Sequence, residues 1–213
     1  MYQTILFDLD GTLTDSGPGI LNSVTYALYQ MGIEEPNPEN LKRFIGPPLY
    51  ESFARFYQLN PADTQAAVDA FRVYFKEKGM FENQLYDGVI PLLESLTEAG
   101  KTLAIATSKP EVFAKQILDY FDISHYFDVI AGASLDSSRI NKTDVISYAL
   151  AQLDYNPQTS IMVGDREHDI EGAKANQLAS IGVLYGYGTK QELEEAGATR
   201  IAQTVVDLKE LLL

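Results

Sequence analysis

Two carboxylates that stand two residues apart, Asp8 and Asp10, lie near the start of the chain at a spacing that could do chemistry. They follow the apolar run 4–7 and precede Gly11, and this pattern predicts a buried strand that ends in a loop. In an open α/β sheet, ligands bind where the strands end at their carboxyl side. Two acids in such a loop could have separate roles, because one can attack a substrate or hold a metal ion while the other transfers protons.

Further reactive side chains follow the ends of three later apolar runs. They are Thr107, Ser108 and Lys109 after the run 102–106, Lys142 after the run 129–131, and Asp165 and Asp169 after the run 160–163. The carboxyl ends of parallel strands share one edge of a sheet, so these groups are expected to converge. Carboxylate oxygens suit Mg²⁺, and hydroxyl and ammonium groups suit phosphate oxygens. The set predicts phosphoryl transfer in which a carboxylate attacks phosphorus.

Strands that alternate with helices must position these groups. Apolar, β-branched runs predict strands at 4–7, 102–106, 129–131, 160–163 and 180–184. Helical spacing predicts helices between them, at about 92–99 (opened by Pro91), 113–121 and 145–153. This alternation is typical of the α/β class and predicts a Rossmann-like, doubly wound parallel sheet.

Residues 15–84 interrupt the alternation, because no convincing strand is found there. Helical patterns occur at about 19–30 and 49–57, and a third helix is expected from Pro61 to about Lys78 with Asn60 as its N-cap. The predicted organisation is a catalytic core of residues 1–14 and 85–213 with an all-helical insert of residues 15–84.

The composition excludes several classes of function. The chain has 213 residues, a net charge of −14 and no cysteine, which argues against binding to nucleic acid or to anionic membranes and rules out thiolate chemistry. No basic segment followed by an apolar one precedes the first strand, so a cytoplasmic protein is predicted. The composition leaves the oligomeric state open between a monomer and a homodimer.

Taken in chain order, these groups resemble the four motifs of the haloacid dehalogenase superfamily. The motifs are Asp8-Leu9-Asp10-Gly11-Thr12, Thr107-Ser108-Lys109-Pro110, Lys142, and Gly164-Asp165 followed by Asp169. The helical insert resembles the cap domain of the branch that includes phosphoglycolate phosphatase and β-phosphoglucomutase. The resemblance extends from Phe7 to about Tyr185.

The resemblance implies a role for each acid. Asp8 would be the nucleophile, and Asp10 would protonate the leaving oxygen and then activate water. Mg²⁺ would be held by Asp8, the backbone carbonyl of Asp10 and Asp165, with Asp169 as a direct or water-mediated ligand. Lys142 would orient Asp8 and bind the phosphoryl group.

The remaining candidates concern the substrate. The phosphoryl group would be contacted by Gly11, Thr12, Thr107 and Ser108. Arg43 and Gly46 lie in a connector between predicted helices, where they could touch the rest of the substrate or simply join the helices.

Two departures from the family pattern leave roles open. Lys142 is followed by Thr143 where the family often has proline, and the nearby Arg139 is a rival for its role. Arg166 stands where a small hydroxyl residue is common, and its consequence and that of His168 stay open.

The function predicted from the resemblance is a Mg²⁺-dependent phosphatase acting on a small phosphorylated metabolite, such as phosphoglycolate or a nucleoside monophosphate. A phosphomutase of the same fold is the first alternative. A signalling module that merely accepts phosphate on Asp8 is the second. Dehalogenase activity is disfavoured, because it has no need of the second acid, Asp10.

Overall fold

A computed structural model describes residues 2–136 and 138–213 of the chain. The strands in these residues are β1 Thr4–Phe7, β2 Thr14–Asp15, β3 Gln84–Leu85, β4 Thr102–Pro110, β5 Val129–Ala133, β6 Ser160–Gly164, β7 Ala179–Val183 and β8 Arg200–Ala202. The α-helices are α1 Gly17–Gln30, α2 Leu49–Tyr57, α3 Pro61–Glu77, α4 Val89–Glu98, α5 Glu111–Tyr120, α6 Lys142–Leu150, α7 Glu167–Ala175, α8 Lys190–Ala196 and α9 Val205–Leu212. Short 3₁₀ segments lie at Pro38–Phe44, Gly79–Phe81, Ser124–Tyr126 and Pro157–Thr159.

Six strands form one parallel sheet in the order β5-β4-β1-β6-β7-β8. Numbered along the chain, these six strands have the order 3-2-1-4-5-6 of a doubly wound sheet, so the predicted fold class is confirmed. The strand order reverses at β1, whose last residue Phe7 pairs with Ile105 of β4 and Val163 of β6. The loops after β1, β4 and β6 therefore leave the sheet side by side at its carboxyl edge.

Buried apolar residues on β1 explain its central place. Ile5, Leu6 and Phe7 are fully shielded from solvent, as expected for a strand covered on both faces. Leu6 belongs to a buried cluster that includes Val145 and Ile146 of α6. The helix that carries Lys142 is thereby packed against the sheet.

The chain divides into two compact units. One, the core unit, contains the residues up to Asp15 and Leu85–Leu213; the other, the helical unit, contains Ser16–Gln84. The predicted boundary at residues 14 and 15 differs from this division by one residue. In the helical unit, α3 begins where the sequence predicts, because the Asn60 side chain accepts a hydrogen bond of 3.0 Å from the backbone N–H of Asp63.

Several elements differ from the prediction. α1 begins two residues earlier than predicted, at Gly17, and α4 begins at Val89 instead of Pro91. β4 continues to Pro110, beyond the predicted end of its apolar run. The sequence did not predict β2, β3, α7, β8 or α9. β2 and β3 each place one residue of the range 15–84 in a strand, where no strand was expected, because such two-residue strands carry no periodic pattern. Within residues 2–136 and 138–213, no helix has both the length and the apolar character needed to cross a membrane.

Candidate active site

Asp8 is placed by the strand that precedes it. Its backbone N–H donates a 2.9 Å hydrogen bond to the carbonyl of Val163, which extends the β1–β6 pairing past the end of β1. The chain then turns at Gly11, which has a φ of +82°. A Cβ atom there would overlap the carboxylate of Asp165, so the turn brings the first and last motifs together only because this residue is glycine.

Lys142 lies at the first position of α6 and reaches the end of β1. Its Nζ is 2.8 Å from Oδ1 of Asp8 and 2.7 Å from Oδ1 of Asp169, and it donates to the carbonyl of Ala106 at 3.0 Å. Burial lowers the pKa of Lys142, but the charges of Asp169 and Asp8 outweigh it, so its pKa is raised overall. The ammonium therefore stays charged beside Asp8.

Asp165 and Asp169 complete a cluster of carboxylates with Asp8. One oxygen of each lies within 4.8 Å of the others, and all three residues are buried. The backbone N–H of Tyr187 donates to Oδ2 of Asp165 at 2.8 Å, and that of Arg166 donates to Oδ2 of Asp169 at 3.0 Å. Burial raises the pKa of Asp165, and the charges of Asp169 and Asp8 raise it further.

The cluster fits a divalent cation that prefers oxygen ligands. Oδ1 of Asp165 is buried and has no hydrogen-bond partner in the described part of the chain. Lys142 supplies one positive charge against the three carboxylates. A hard cation such as Mg²⁺ would supply both the missing contact and the missing charge.

The Asp10 side chain points to a different partner. Its Oδ2 is 2.9 Å from Nζ of Lys109, and both side chains are largely shielded from solvent. Lys109 was among the groups expected to converge at this edge of the sheet, but the sequence assigned it no role. Its position in the Thr107-Ser108-Lys109 motif was the available signal, but neighbours along an extended strand point to opposite faces, so the sequence did not show which side chain would reach Asp10.

The predicted phosphate-binding hydroxyls lie in the same core unit. Thr107 is almost fully buried, and its Oγ1 accepts a hydrogen bond of 3.2 Å from the backbone N–H of Lys109. Thr12 is fully buried, and its Oγ1 has no hydrogen-bond partner among the residues described. Ser108 is half-buried. Their contact with a substrate stays a prediction.

Arg139, the rival of Lys142, is engaged elsewhere. Its Nε donates to the carbonyl of Gly132 at 2.8 Å, its Nη2 is 3.0 Å from Oε2 of Glu111, and its guanidinium lies over the ring of Tyr148. The structure thus pairs Lys142, and not Arg139, with Asp8.

Arg166 joins two elements next to the cluster. Its Nε lies 2.7 Å from Oε1 of Glu192 on α8, and the same oxygen accepts a bond from the backbone N–H of Glu167. The arginine that replaces the small hydroxyl residue of the family pattern therefore ties α8 to the start of α7.

Arg43 and Gly46 lie in the helical unit. The Arg43 guanidinium carbon is 4.2 Å from the ring centre of Phe56, and its Nη2 is 3.7 Å from Oε2 of Glu35. Gly46 is exposed and has a φ of +106°. These contacts are internal to the unit, and the role of both residues in substrate binding stays a prediction.

Comparison with known proteins gives one consistent family. The model of the haloacid dehalogenase-like hydrolase family matches residues 5–183. A 5'-nucleotidase of Pseudomonas aeruginosa is 42% identical over 211 residues, which cover 99% of this chain and 96% of that protein. The tyrosine-protein kinase PtkA of Mycobacterium tuberculosis is also 42% identical, over 99% of this chain and 72% of its own length.

Solved structures agree with the sequence comparison. The crystal structure of a predicted phosphatase from Clostridium acetobutylicum is similar with a TM-score of 0.95 and 48% identity, and the match covers 100% of this chain and 98% of that one. The predicted family and the prediction of a hydrolytic enzyme are thereby confirmed. With a matching family model over most of its length and relatives that align from end to end, the chain belongs to the haloacid dehalogenase-like hydrolase family.

Proposed function

We propose that the protein is a Mg²⁺-dependent phosphatase that hydrolyses small phosphomonoesters through an aspartyl phosphate on Asp8. The observation that carries this proposal is the surroundings of Asp8: an ammonium 2.8 Å away and two further buried carboxylates within ligand distance of one ion. The Asp8 carboxylate can approach an anionic phosphate in these surroundings, because the Lys142 ammonium and a cation held by the carboxylates would offset the repulsion between the two anions.

The chemistry takes two steps on this chain's residues. One carboxylate oxygen of Asp8 attacks phosphorus, the ester P–O bond breaks, and Asp10 gives a proton to the leaving oxygen. Water then attacks phosphorus, Asp10 takes its proton, and the bond from phosphorus to Asp8 breaks to release phosphate. Lys142 keeps Asp8 oriented and, with Thr107, binds the phosphoryl oxygens.

Asp8, Asp165 and Asp169 would hold Mg²⁺, together with the backbone carbonyl of Asp10. When bound, the ion would neutralise charge on the phosphoryl oxygens and so favour attack by an anion. The unpartnered Oδ1 of Asp165 supports this assignment.

The substrate is a small phosphorylated metabolite. A relative named 5'-nucleotidase that aligns over 96% of its own length supports nucleoside 5'-monophosphates as the first class to test, with phosphoglycolate next. The helical unit, which contains Arg43 and Gly46, would act as the cap that selects the substrate. A cytoplasmic location and a monomeric or homodimeric state remain predictions.

The experiment measures phosphate release from p-nitrophenyl phosphate, nucleoside 5'-monophosphates and phosphoglycolate, with added Mg²⁺ and with EDTA. We expect turnover that needs Mg²⁺ and is abolished in Asp8→Asn. The matched control is Asp119→Asn, which changes an exposed aspartate on α5 in the same way. Activity that survives in Asp8→Asn would contradict the proposal.

The alternatives give different products. A phosphomutase would convert a hexose phosphate to its isomer with little free phosphate. A phospho-accepting signalling module would take one phosphate per chain from acetyl phosphate and then stop. Free phosphate in many-fold excess over enzyme is the result expected here.

Transfer to a tyrosine hydroxyl is a second candidate, because a relative of equal identity is named a tyrosine-protein kinase. The first step would be the same, with ATP as donor and ADP as leaving group, and a tyrosine oxygen would replace water in the second. Incubation with ATP and a tyrosine-containing peptide separates the two: phosphotyrosine indicates the kinase, and free phosphate indicates the phosphatase.

A further inference from the structure

We propose that Lys109 is the positioning residue of Asp10, and that it directs the catalytic proton of Asp10 to Oδ1. This inference rests on the proposed function, in which Asp10 is the general acid and base. The two lysines of the site would then have separate tasks, since Lys142 serves Asp8 and Lys109 serves Asp10.

The two oxygens of Asp10 have different surroundings. Oδ2 is 2.9 Å from Nζ of Lys109, and the exposed fractions of the two side chains are 14% and 6%. Oδ1 is buried and has no hydrogen-bond partner in the described residues. An ammonium group can only donate hydrogen bonds, and its positive charge disfavours a proton on the oxygen that accepts from it, so protonation of Asp10 is favoured at the other oxygen. A proton on Asp10 is therefore placed on Oδ1.

An irregularity in the sheet aims Lys109 at Asp10. Thr107 of β4 pairs with Gly132 of β5, and the next pair joins Pro110 to Ala133. Residues 108 and 109 of β4 therefore have no pairing partner on β5 and form a bulge. Such a bulge redirects side chains, and bulges are common beside active sites. The backbone N–H of Lys109 donates to Oγ1 of Thr107 inside the bulge, which fixes its shape.

Gly132 makes the bulge possible. A Cβ atom at this position would lie 2.6 Å from the carbonyl oxygen of Lys109 and 2.6 Å from the Cα of Glu111. The backbone that carries Lys109 can approach β5 only because Gly132 has no side chain.

The contact between Lys109 and Asp10 also keeps the Asp10 carboxylate apart from those of Asp8, Asp165 and Asp169. The cluster within ligand distance of one ion contains Asp8, Asp165 and Asp169, whereas the Asp10 carboxylate is held by Lys109. An Asp10 side chain released from Lys109 would be attracted to the bound cation, where it could no longer give a proton to the leaving group. Lys109 thus preserves the division between metal-binding and proton-moving carboxylates.

A comparison of leaving groups tests this role. An alkoxide leaving group, as in a nucleoside monophosphate, needs the proton of Asp10 when the P–O bond breaks, whereas p-nitrophenolate is stable without it. The value of kcat/KM reports steps up to formation of the aspartyl phosphate. In Lys109→Met, we expect the ratio of kcat/KM for an alkyl phosphate to that for p-nitrophenyl phosphate to fall at least tenfold, and Lys109→Arg to recover part of the loss.

The matched control is Lys101→Met. Lys101 is as buried as Lys109, but it lies before β4, at the opposite end of that strand, and its Nζ donates to the carbonyl of Tyr2. We expect the wild-type ratio in this variant. If Lys109→Met does not fold, the same ratio is measured in Lys109→Gln, which keeps a polar side chain without the charge.

The outcomes separate this inference from the proposed function. Equal loss on both substrates in Lys109→Met, or an unchanged ratio, would overturn the role of Lys109 while the phosphatase stands. Wild-type protein that hydrolyses neither substrate, or Asp8→Asn that hydrolyses both, would overturn the phosphatase itself.

Discussion

At the scale of single residues, the buried Lys142 should contribute far more to activity than Arg139, which lies three positions earlier in the sequence. Lys142→Met would leave Asp8 and Asp169 buried without their shared ammonium. Breaking a buried ion pair costs about 3–5 kcal/mol of unfolding free energy, and removing one group that stabilises transition-state charge costs about 10²–10³-fold in kcat. Denaturant unfolding and phosphate release measure the two effects.

The control for this prediction is Arg139→Met, which removes a cation that contacts Glu111 and Tyr148 instead of Asp8. We expect its kcat to stay near that of the wild type, even if stability falls. A loss of activity in Arg139→Met as large as that in Lys142→Met would contradict the assignment.

The sequence could predict the residues of the cluster, because Asp8 and Asp165 directly follow strands, Asp169 lies in the helix that begins just after Asp165, and parallel strands end at one edge. It favoured Lys142 only through the resemblance and left Arg139, three positions away, as a rival; the 2.8 Å contact between Lys142 and Asp8 distinguishes the two. The sequence could not find the partner of Asp10, because an insertion of two residues in β4 determines where Lys109 points.

At the scale of elements, the loop between β7 and α8 should control cation binding. The backbone N–H of Tyr187 holds Asp165, and a Cβ atom at Gly188 would overlap the carbonyl of Asp165. Gly188→Ala should therefore displace this loop, weaken Mg²⁺ binding and lower the unfolding free energy by about 1–3 kcal/mol. Calorimetric titration with Mg²⁺ and denaturant unfolding measure the two changes.

Gly197 supplies a matched glycine in the same unit. It follows α8 with a φ of +92°, and a Cβ atom at this position would have, apart from its own residue and its two neighbours in the chain, no atom of the described residues within 4 Å. Asparagine tolerates such backbone angles, so Gly197→Asn should bind Mg²⁺ like the wild type. The explanation fails if Gly188→Ala and Gly197→Asn have the same Mg²⁺ affinity.

Elements with strong local signals were predictable, and those without them were not. α2 has the predicted bounds. α3 begins at the predicted residue and ends one residue before its predicted end, because the signals that bound it, at Asn60, Pro61 and Gly79, are local. β8 has only three residues, Arg200–Ala202, and its place at the sheet edge comes from pairing with β7. Pairing between segments that are distant in sequence gives no local signal, such as a cap or a helix breaker, from which a short strand could be predicted.

At the scale of the whole molecule, the cluster of Asp8, Asp165 and Asp169 should bind a cation but lower the stability of the folded protein when no cation is bound. Without a cation, burial and the charges of Asp169 and Asp8 disfavour the carboxylate of Asp165 and raise its pKa. Asp165→Asn keeps the shape of the side chain and removes one of these repelling charges. We expect the variant to have a higher Tm than the wild type in EDTA, by about 2–4 °C for each kcal/mol of relieved repulsion.

The same substitution should remove the response to Mg²⁺. A ligand that binds only the folded state stabilises it by RT ln(1 + [L]/Kd), so the wild-type Tm should rise with Mg²⁺ concentration while that of Asp165→Asn stays nearly constant. Asp119→Asn removes an exposed charge from the same unit and should follow the wild type in both conditions. Thermal scans with EDTA and with increasing Mg²⁺ decide the matter, and a lower Tm of Asp165→Asn in EDTA would show that the three buried acids do not strain the cation-free protein.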